Sequence, residues 1–315
     1  MAGYAPSDCG RAGGGGRVMR RSREGALSIC RDACFEIAKN AVMAFPPTRA
    51  WRLKRPRAGA LFSGTDEDLE RYAFQATRSL LGLLKSVRGL RIVEIGPGDF
   101  LTSGLSLLAA GAASYTAIDR FPGNHQGAAA KAWYRGIEDA WPRVFPELPW
   151  PDDLKAEDFP ENYPGRVEVI SKPVEEVELK RHYDVVCSYQ VGEHVSDIDS
   201  FARLNARLLA RGGVAVHRVD LGPHGCWSNY VDPLIFLRFS EGLWWLMGSQ
   251  RGTPNRFRHH EFCAAFERAD LEVDSTGLEF FDEAKIDWSR LPDRFQKMPK
   301  DSLRVGTAIY TCRLR

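Results

Sequence analysis

Two carboxylates and two glycines surround one predicted turn, between residues 91 and 121. Glu94 lies near the end of the apolar run RIVEI, Gly96-Pro97-Gly98 follows it, and Asp119 comes directly after a second run, SYTAI. Glycines let a backbone turn sharply and approach a ligand closely. A carboxylate at the end of a parallel strand can accept both hydroxyls of a ribose, and each charge-assisted bond contributes about 1.5–3 kcal/mol. The turn therefore indicates a ligand of the adenosine type.

A dinucleotide is one candidate ligand, but the turn departs from the fingerprint that binds one. That fingerprint is Gly-x-Gly-x-x-Gly, with a helix amino terminus free for the pyrophosphate. Here Leu101 stands at the third glycine position, and Asp99 places a negative charge where the pyrophosphate would lie. Glu94 suits a cationic ligand better, since it can help to hold an amino group. These residues disfavour a nicotinamide cofactor, and a Rossmann oxidoreductase stays as the alternative.

Strand candidates alternate with helix candidates around this turn, which predicts a parallel sheet covered by helices on both faces. Five apolar strand candidates are Arg91–Ile95, Ser114–Ile118, Val167–Ile170, Tyr183–Ser188 and Val214–Val219. Two further strands are predicted near Glu272–Leu278 and Gly306–Arg313. Helices are predicted over Leu101–Ala110, over Asp197–Ala210 and in the segment RHHEFCAAFERADL. Ligands of such sheets bind at the carboxyl ends of the strands, where Glu94 and Asp119 are expected.

The chain divides into three predicted zones. Residues 1–25 are polar, glycine-rich and basic without the apolar core of a secretory signal, so we interpret them as a disordered start. Residues 26–88 are expected to form a helical extension, and residues 89–315 the main domain with a helical insertion over 220–258. The connection over residues 123–165 is long, so two interpretations stay open there, a lid over a bound substrate and surface decoration.

Several segments together resemble class I S-adenosylmethionine-dependent methyltransferases. They are VEIGPGD, Asp119, YDVVCSYQVGEHV and LNARLLARGGVAVHRVDL, and the resemblance extends from Leu90 to Leu278. It is similar to a variant with Gly-Pro-Gly-Asp in the first motif that we associate with small-molecule and glycan methylation. The resemblance implies a Rossmann-like, mostly parallel seven-stranded sheet with S-adenosylmethionine as the cofactor. The implied activity is methyl transfer to a small-molecule or sugar-containing acceptor, with oxygen as the expected atom.

The resemblance also implies roles for individual residues. Glu94, Gly96, Pro97 and Gly98 would line the methionine part of the cofactor, Asp119 would hold the ribose, and Arg120 would lie next to the adenine with Phe121. After the third strand, SKPVEEV departs from the family pattern, and the backbone of Val174 or Glu175 would replace an acidic contact to the adenine. Ser188 and Tyr189 follow the fourth strand, near the reactive methyl group.

Candidate proton acceptors lie past the fifth strand, in HRVDLGPHGCW. Asp220 and His224 are expected at or beyond the carboxyl end of this strand, where a base for a hydroxyl acceptor would be needed. His194 is a third candidate, although the plainer interpretation of EHV is that it fixes the loop after strand four. His217, Asp220 and His224 have residue types that suit a metal, but their spacing matches no ligand signature known to us, so no metal is predicted. A purely structural loop is the remaining alternative.

The insertion that follows is rich in aromatic residues, with arginines and histidines near its end. The segment CWSNYVDPLIFLRFSEGLWWLMGSQRGTPNRFRHH would suit the face of a sugar or an anionic group, or it would form a subdomain packed on the sheet edge. A small-molecule or saccharide acceptor is therefore the expected partner.

Composition narrows the remaining classes of function. The net charge of +2 does not point to nucleic acid or an anionic membrane, and no apolar run approaches the length of a membrane span. Nucleic acid is not expected, because no Asn/Asp-Pro-Pro-aromatic motif follows strand four. Seven scattered cysteines without a CxxC pair favour a reduced, cytoplasmic enzyme. A homodimer, and a protein that binds the cofactor without transferring a methyl group, both stay open.

Overall fold

Seven strands form one sheet in the computed structural model, which describes residues 25–53, 65–120, 123–173, 176–179 and 182–315. They are β1 (Arg91–Ile95), β2 (Ser114–Ile118), β3 (Val167–Ile170), β4 (Tyr183–Tyr189), β5 (Leu209–Asp220), β6 (Leu271–Phe280) and β7 (Val305–Leu314). The order across the sheet is β3-β2-β1-β4-β5-β7-β6. Of these seven strands, β7 runs in the opposite direction to the other six, so its pairings with β5 and β6 are antiparallel and the other pairings are parallel. The predicted Rossmann-like, mostly parallel sheet is confirmed.

The strand order reverses between β1 and β4, and this reversal positions the glycine turn. The connection from β1 leads outwards to β2, whereas β4 lies on the other side of β1, so a crevice opens at their carboxyl ends. Near this end of β1, Glu94 is paired in register with Ala117 of β2 and with Cys187 of β4. The turn that follows β1 therefore lies between the ends of both neighbouring strands.

Helices cover both faces of the sheet, as the alternation of elements predicts. They are α1 (Ala26–Ala44), α2 (Pro46–Leu53), α3 (Asp66–Leu69), α4 (Gln75–Leu84), α5 (Thr102–Ala109), α6 (Ala128–Val144), α7 (Ile198–Leu208), α8 (Glu241–Gly248), α9 (His259–Arg268), α10 (Asp293–Gln296) and α11 (Lys300–Arg304), with a π-helical turn over Glu70–Phe74. Apolar side chains of α4, α5 and α6 form one core cluster, and those of α7 and α9 form a second. No helix of the described ranges is long and apolar enough to cross a membrane.

The long connection between β2 and β3 packs into the core, so its interpretation as surface decoration was wrong, and its role as a lid stays a prediction. Its helix α6 buries Trp133, Tyr134, Ile137 and Trp141 in the first core cluster. The spacing of these residues places them on one face of a helix. The indole of Trp141 also donates a hydrogen bond of 2.6 Å to the carbonyl of Leu148, which fixes the chain beyond the helix.

A third core cluster joins three separate stretches of the chain. The insertion after β5 contributes Trp227, Phe236 and Phe239 from short 3₁₀ turns as well as α8, so it is only partly helical. These side chains pack with Ala33 of α1 and with residues 286–303, which lie between β6 and β7. The predicted helical extension is thus divided, since α1 packs on the insertion and α4 packs on the sheet. The predicted disordered start lies outside the described residues, except for Gly25.

Candidate functional site

The turn after β1 requires glycine at two positions. Gly96 and Gly98 have φ values of +70° and +84°, in the left-handed region that other residues rarely adopt. A Cβ atom on Gly96 would lie 2.6 Å from a methyl carbon of Val191, in the loop after β4. Beside Gly98, by contrast, a Cβ atom would meet no protein atom within 4 Å. The turn is therefore closed by the β4 loop on one side and open on the other.

Asp119 lies at the open side of the turn, as the sequence predicts. The amide of Gly98 donates a hydrogen bond of 3.3 Å to Oδ2 of Asp119, and the amide of Asp119 is held by the carbonyl of Ile170. A fixed carboxylate and exposed backbone beside open space fit the ribose and methionine parts of S-adenosylmethionine. Arg120 follows at the exposed edge. Val174, the predicted adenine contact, lies outside the described residues, as does Phe121.

Glu94 is buried behind the turn. Its Oε2 accepts a hydrogen bond from the hydroxyl of Tyr115. Burial raises the pKa of Glu94 to about 7, with hydrogen bonds from Tyr115 and Ser103 opposing the shift and the charge of Asp119 adding to it. A cationic amino group near this carboxyl would favour its ionised form. Glu94 is therefore suited to the amino group that the sequence assigns to it.

His125 is a candidate that sequence reasoning missed. It follows β2 in the loop that packs Gly123 against the backbone of Asp99, and it is buried. Neither ring nitrogen has a hydrogen-bond partner of normal geometry within the described ranges, and burial lowers the pKa of His125. Its interactions with Asp119 and Asp99 place it beside the turn. No sequence motif marks His125, and only its burial in the folded protein identifies it as a candidate.

Ser188 and Tyr189 point into the two opposite faces of the sheet. The hydroxyl of Ser188 lies 2.8 Å from Nδ1 of His217, and both residues are fully buried. The ring of His217 stacks on Phe266, and burial lowers its pKa to about 3. Tyr189 donates a hydrogen bond of 3.3 Å to the carbonyl of Ala76 on the other face. These side chains fix the end of β4, and His217 is engaged with Ser188 in the core.

The structure brings Asp220, His224 and His194 together at the carboxyl ends of β4 and β5. Oδ2 of Asp220 lies 3.4 Å from Nε2 of His224, and the amide of Gly222 donates to Oδ1 of Asp220 at 2.8 Å. The ring of His194 meets that of His224 edge-on, with centroids 5.5 Å apart. Burial lowers the pKa of His224, but the carboxylate of Asp220 outweighs it, so the pKa is raised overall. Burial raises the pKa of Asp220, and His224, Gly222 and Arg218 together lower it below its usual value.

Glu193 is a second candidate site residue that the sequence analysis did not single out. Its side chain is buried beside the Asp220–His224 pair. Burial raises the pKa of Glu193 to about 8, and the charge of Asp220 adds to the shift while that of His224 opposes it. Asn255 closes over this loop, since its side-chain amide donates to the carbonyls of Gly192 and Val195.

Four aromatic side chains of the insertion are buried in the protein, whereas Trp245 is 63% exposed. Trp227, Tyr230, Phe236 and Phe239 are buried in the third core cluster. The arginines and histidines that the sequence placed beside them also have protein partners, which are Asp232 for Arg238, Glu241 for Arg256, Tyr310 for His259 and Ser302 for His260. The interpretation as a packed subdomain is therefore the one that the structure supports.

The glycine turn and the Asp220–His224 pair adjoin through the β4 loop. Val191 of this loop packs against Gly96, and Glu193 and His194 follow two and three residues later. The glycine turn and the Asp220–His224 pair thus share one edge of the sheet. Among the described residues, no group of three or more His, Cys, Asp and Glu side chains is placed to hold a metal ion.

Three solved structures illustrate the fold similarity of this chain. A complex of the Haloferax volcanii Trm112 methyltransferase activator with a methyltransferase matches with 16% identity over 80% of this chain and 94% of that one, at a TM-score of 0.42. An S-adenosylmethionine-dependent methyltransferase from Mesorhizobium loti matches with 14% identity over 75% and 96%, at 0.40. Magnesium protoporphyrin IX methyltransferase from Synechocystis, with bound S-adenosylhomocysteine, matches with 12% identity over 85% and 93%, at 0.41.

The sequence itself matches a family model. None of the curated proteins compared with the chain is similar to it in sequence. The model described as "Methyltransferase domain" matches residues 65–276, which include β1 to β5 and most of β6. This match covers well over half of the chain and decides between methyl transfer and hydride transfer in favour of the former. The chain therefore belongs to the family of S-adenosylmethionine-dependent methyltransferases.

Proposed function

We propose that this methyltransferase transfers its methyl group to a hydroxyl oxygen of a small-molecule or saccharide acceptor. The observation that carries the proposal is the Asp220–His224 pair, in which the two side chains lie 3.4 Å apart at the edge of the sheet that bears the glycine turn. A hydroxyl acceptor must lose a proton during transfer, whereas a carboxylate acceptor has none to lose. A histidine supported by a carboxylate is the arrangement that such an acceptor needs.

On the cofactor side, the residues of the turn would hold S-adenosylmethionine. Gly96, Pro97 and Gly98 would line its methionine part with Glu94 at the amino group, and Asp119 would bind the ribose. When bound, the cofactor supplies a methyl group on a positively charged sulfur, so the reactivity comes from the cofactor. The protein contributes mainly alignment, and positioning can supply about 7–11 kcal/mol of the barrier.

On the acceptor side, His224 would act as the base. Nε2 of His224 faces Asp220, so Nδ1 is the nitrogen that would take the proton of the acceptor. The carboxylate of Asp220 would then stabilise the imidazolium that forms. Glu193, with a pKa of about 8, is mostly protonated at neutral pH and adds little further negative charge beside Asp220. His194 would orient the ring of His224, since the two rings are in edge contact.

The test separates transfer from cofactor binding. We expect Asp220→Asn and His224→Ala to lower turnover by at least about a hundredfold, the lower end of what a general base contributes. Their affinity for S-adenosylhomocysteine should stay within about threefold of wild type, since neither residue lies in the glycine turn. Turnover is measured with tritiated S-adenosylmethionine and a panel of sugars and phenols, and affinity by calorimetric titration. His182→Ala, an exposed histidine before β4, is the matched control.

Different outcomes would contradict different parts of the proposal. Wild-type turnover in both variants would remove Asp220 and His224 from the mechanism. Transfer only to amines, thiols or carboxylates would overturn the hydroxyl acceptor. Tight binding of S-adenosylhomocysteine without transfer to any acceptor of the panel would favour a protein that binds the cofactor passively. The cytoplasmic location and the homodimer stay predictions that these measurements do not address.

A further inference from the structure

Helix α1 buries two polar side chains beside its apolar contacts with the third core cluster and exposes apolar side chains on its outer side. Its inner side buries Glu36, which forms an ion pair with Arg251, and Asn40, which hydrogen-bonds to residues 246–250. Its outer side exposes apolar side chains, namely Leu27 (87% exposed), Phe35 (59%), Val42 (57%) and Phe45 (60%). A surface helix normally turns its apolar stripe towards the core. The outer side of α1 is therefore an apolar surface without a covering element among the described residues.

The exposed apolar side chains of α1 form a row along the helix. Leu27, Phe35 and Val42 are seven or eight residues apart, so they follow one side of α1. Helix α8 packs beside α1, because the carbonyl of Leu246 accepts a hydrogen bond from Asn40, and it exposes Trp245 and Leu246. Single exposed apolar residues are common on protein surfaces, but several along one side of a helix are typical of a site of interaction.

The charge of the adjoining chain indicates what covers this surface. The 24 residues before the described part of α1 hold five arginines, at positions 11, 17, 20, 21 and 23, against two acids. The whole-chain net charge of +2 conceals this local excess of positive charge. A second copy of the chain would bring two basic segments together, which their repulsion disfavours. A basic segment followed by an exposed apolar helix is instead complementary to an anionic lipid surface.

We propose that the outer side of α1 docks on a membrane surface that contains anionic lipids. The apolar side chains of α1 would enter the boundary between head groups and acyl chains, and the positive charge of the preceding sequence would favour anionic over neutral lipid. The docking helix is also connected through hydrogen bonds to the candidate active site. Helix α1 holds residues 249–251 through Asn40 and Glu36, and the next residue, Gly252, is hydrogen-bonded to His194 through its carbonyl. The acceptor side of the sheet therefore lies next to the elements that would contact the lipid.

Co-sedimentation of the full-length protein with vesicles tests the proposal. We expect binding to vesicles of phosphatidylcholine mixed with phosphatidylglycerol, weak binding to phosphatidylcholine alone, and a loss of binding at high salt. Phe35→Ser should weaken binding by at least about tenfold, since it removes a large exposed apolar side chain. Phe280→Ser is the matched control, because this ring is 52% exposed on β6 and, like Phe35, has a basic side chain over its face. The control should bind like wild type.

Three outcomes would overturn the proposal. Absence of sedimentation with anionic vesicles would do so, and so would equal binding of the Phe35→Ser and wild-type proteins. A dimer in analytical ultracentrifugation that Phe35→Ser dissociates would assign the surface to a second copy instead. Calorimetric titration with S-adenosylhomocysteine verifies that each variant is folded. Should Phe35→Ser fail this check, Val42→Ser gives the same test at a side chain that is 57% exposed.

Discussion

At the scale of single residues, Asp119 is the proposed contact to the ribose of the cofactor. Its carboxylate faces the open side of the glycine turn, where it accepts a hydrogen bond from the amide of Gly98. We expect Asp119→Ala to weaken the binding of S-adenosylhomocysteine by at least tenfold, because a charge-assisted hydrogen bond contributes about 1.5–3 kcal/mol. Calorimetric titration measures the change. Asp152→Ala, at an exposed position before β3, should keep wild-type affinity, and unchanged affinity in Asp119→Ala would refute the ribose assignment.

Glu193 should make the stability of the protein depend on pH. Its folded-state pKa of about 8 lies above the ordinary value of 4.5, mainly because of burial. The neutral carboxyl therefore favours folding below pH 4.5, and this contribution is lost as the pH rises through 8. As the pH rises from 4.5 to about 8, the free energy of unfolding of Glu193→Gln should increase relative to that of wild type. The reason is that glutamine has no proton to lose.

Urea unfolding at several pH values measures this difference. Glu147→Gln changes an exposed glutamate in the same way, and its difference from wild type should be independent of pH. A difference for Glu193→Gln that stays constant between about pH 5 and pH 8 would show that the carboxyl is ionised in the folded protein.

At the scale of elements, the two glycines of the turn should respond differently to the same substitution. Both have positive φ values, so alanine at either position costs about 1–2 kcal/mol of stability. Gly96→Ala also drives its Cβ atom against Val191, whereas Gly98→Ala enters open space. Thermal unfolding should therefore show the larger loss for Gly96→Ala. Gly98→Ala should still weaken S-adenosylhomocysteine binding, and equal stability of the two variants would contradict the contact with Val191.

The elements that the sequence predicts are those with a local signal. Strands β1, β2 and β3 begin and end where expected, because buried apolar runs between turn residues identify a parallel sheet. Asp220, His224 and His194 come together because the carboxyl ends of neighbouring strands meet at one edge. Residues 281–304 had no such signal, since they fold into short turns and helices of four or five residues.

Long-range packing sets the limit of what the sequence predicts. The aromatic residues of the insertion are buried because α1, about 200 residues earlier in the chain, and the segment before β7 cover them. Burial of Glu193 depends in the same way on Asn255, which closes the β4 loop from outside it. Neither contact leaves a pattern in the neighbouring residues, so local periodicity does not show it.

At the scale of the whole molecule, α1 is connected through hydrogen bonds to the segment that contacts His194. The side chain of Asn40 donates to the carbonyl of Leu246 at 2.9 Å and to the hydroxyl of Ser249 at 3.1 Å, and it accepts from the amide of Gln250 at 2.8 Å. Two residues further along, Gly252 contacts His194. The segment that contacts His194 is thus held in part by a helix that lies outside the residues that match the methyltransferase family.

Asn40→Ala should therefore affect transfer more than cofactor binding. The substitution leaves buried polar groups of the 246–250 segment unpaired, which costs about 1–3 kcal/mol of stability. Methyl transfer should fall because the residues that hold His194 loosen, while the affinity for S-adenosylhomocysteine stays near wild type, since the glycine turn packs in other clusters. Urea unfolding, the transfer assay and calorimetric titration measure the three effects. Asn162→Ala, which removes one exposed hydrogen bond to Asp158, is the control. Equal losses of transfer and affinity in Asn40→Ala would show that α1 supports the whole fold and has no particular connection to the acceptor side.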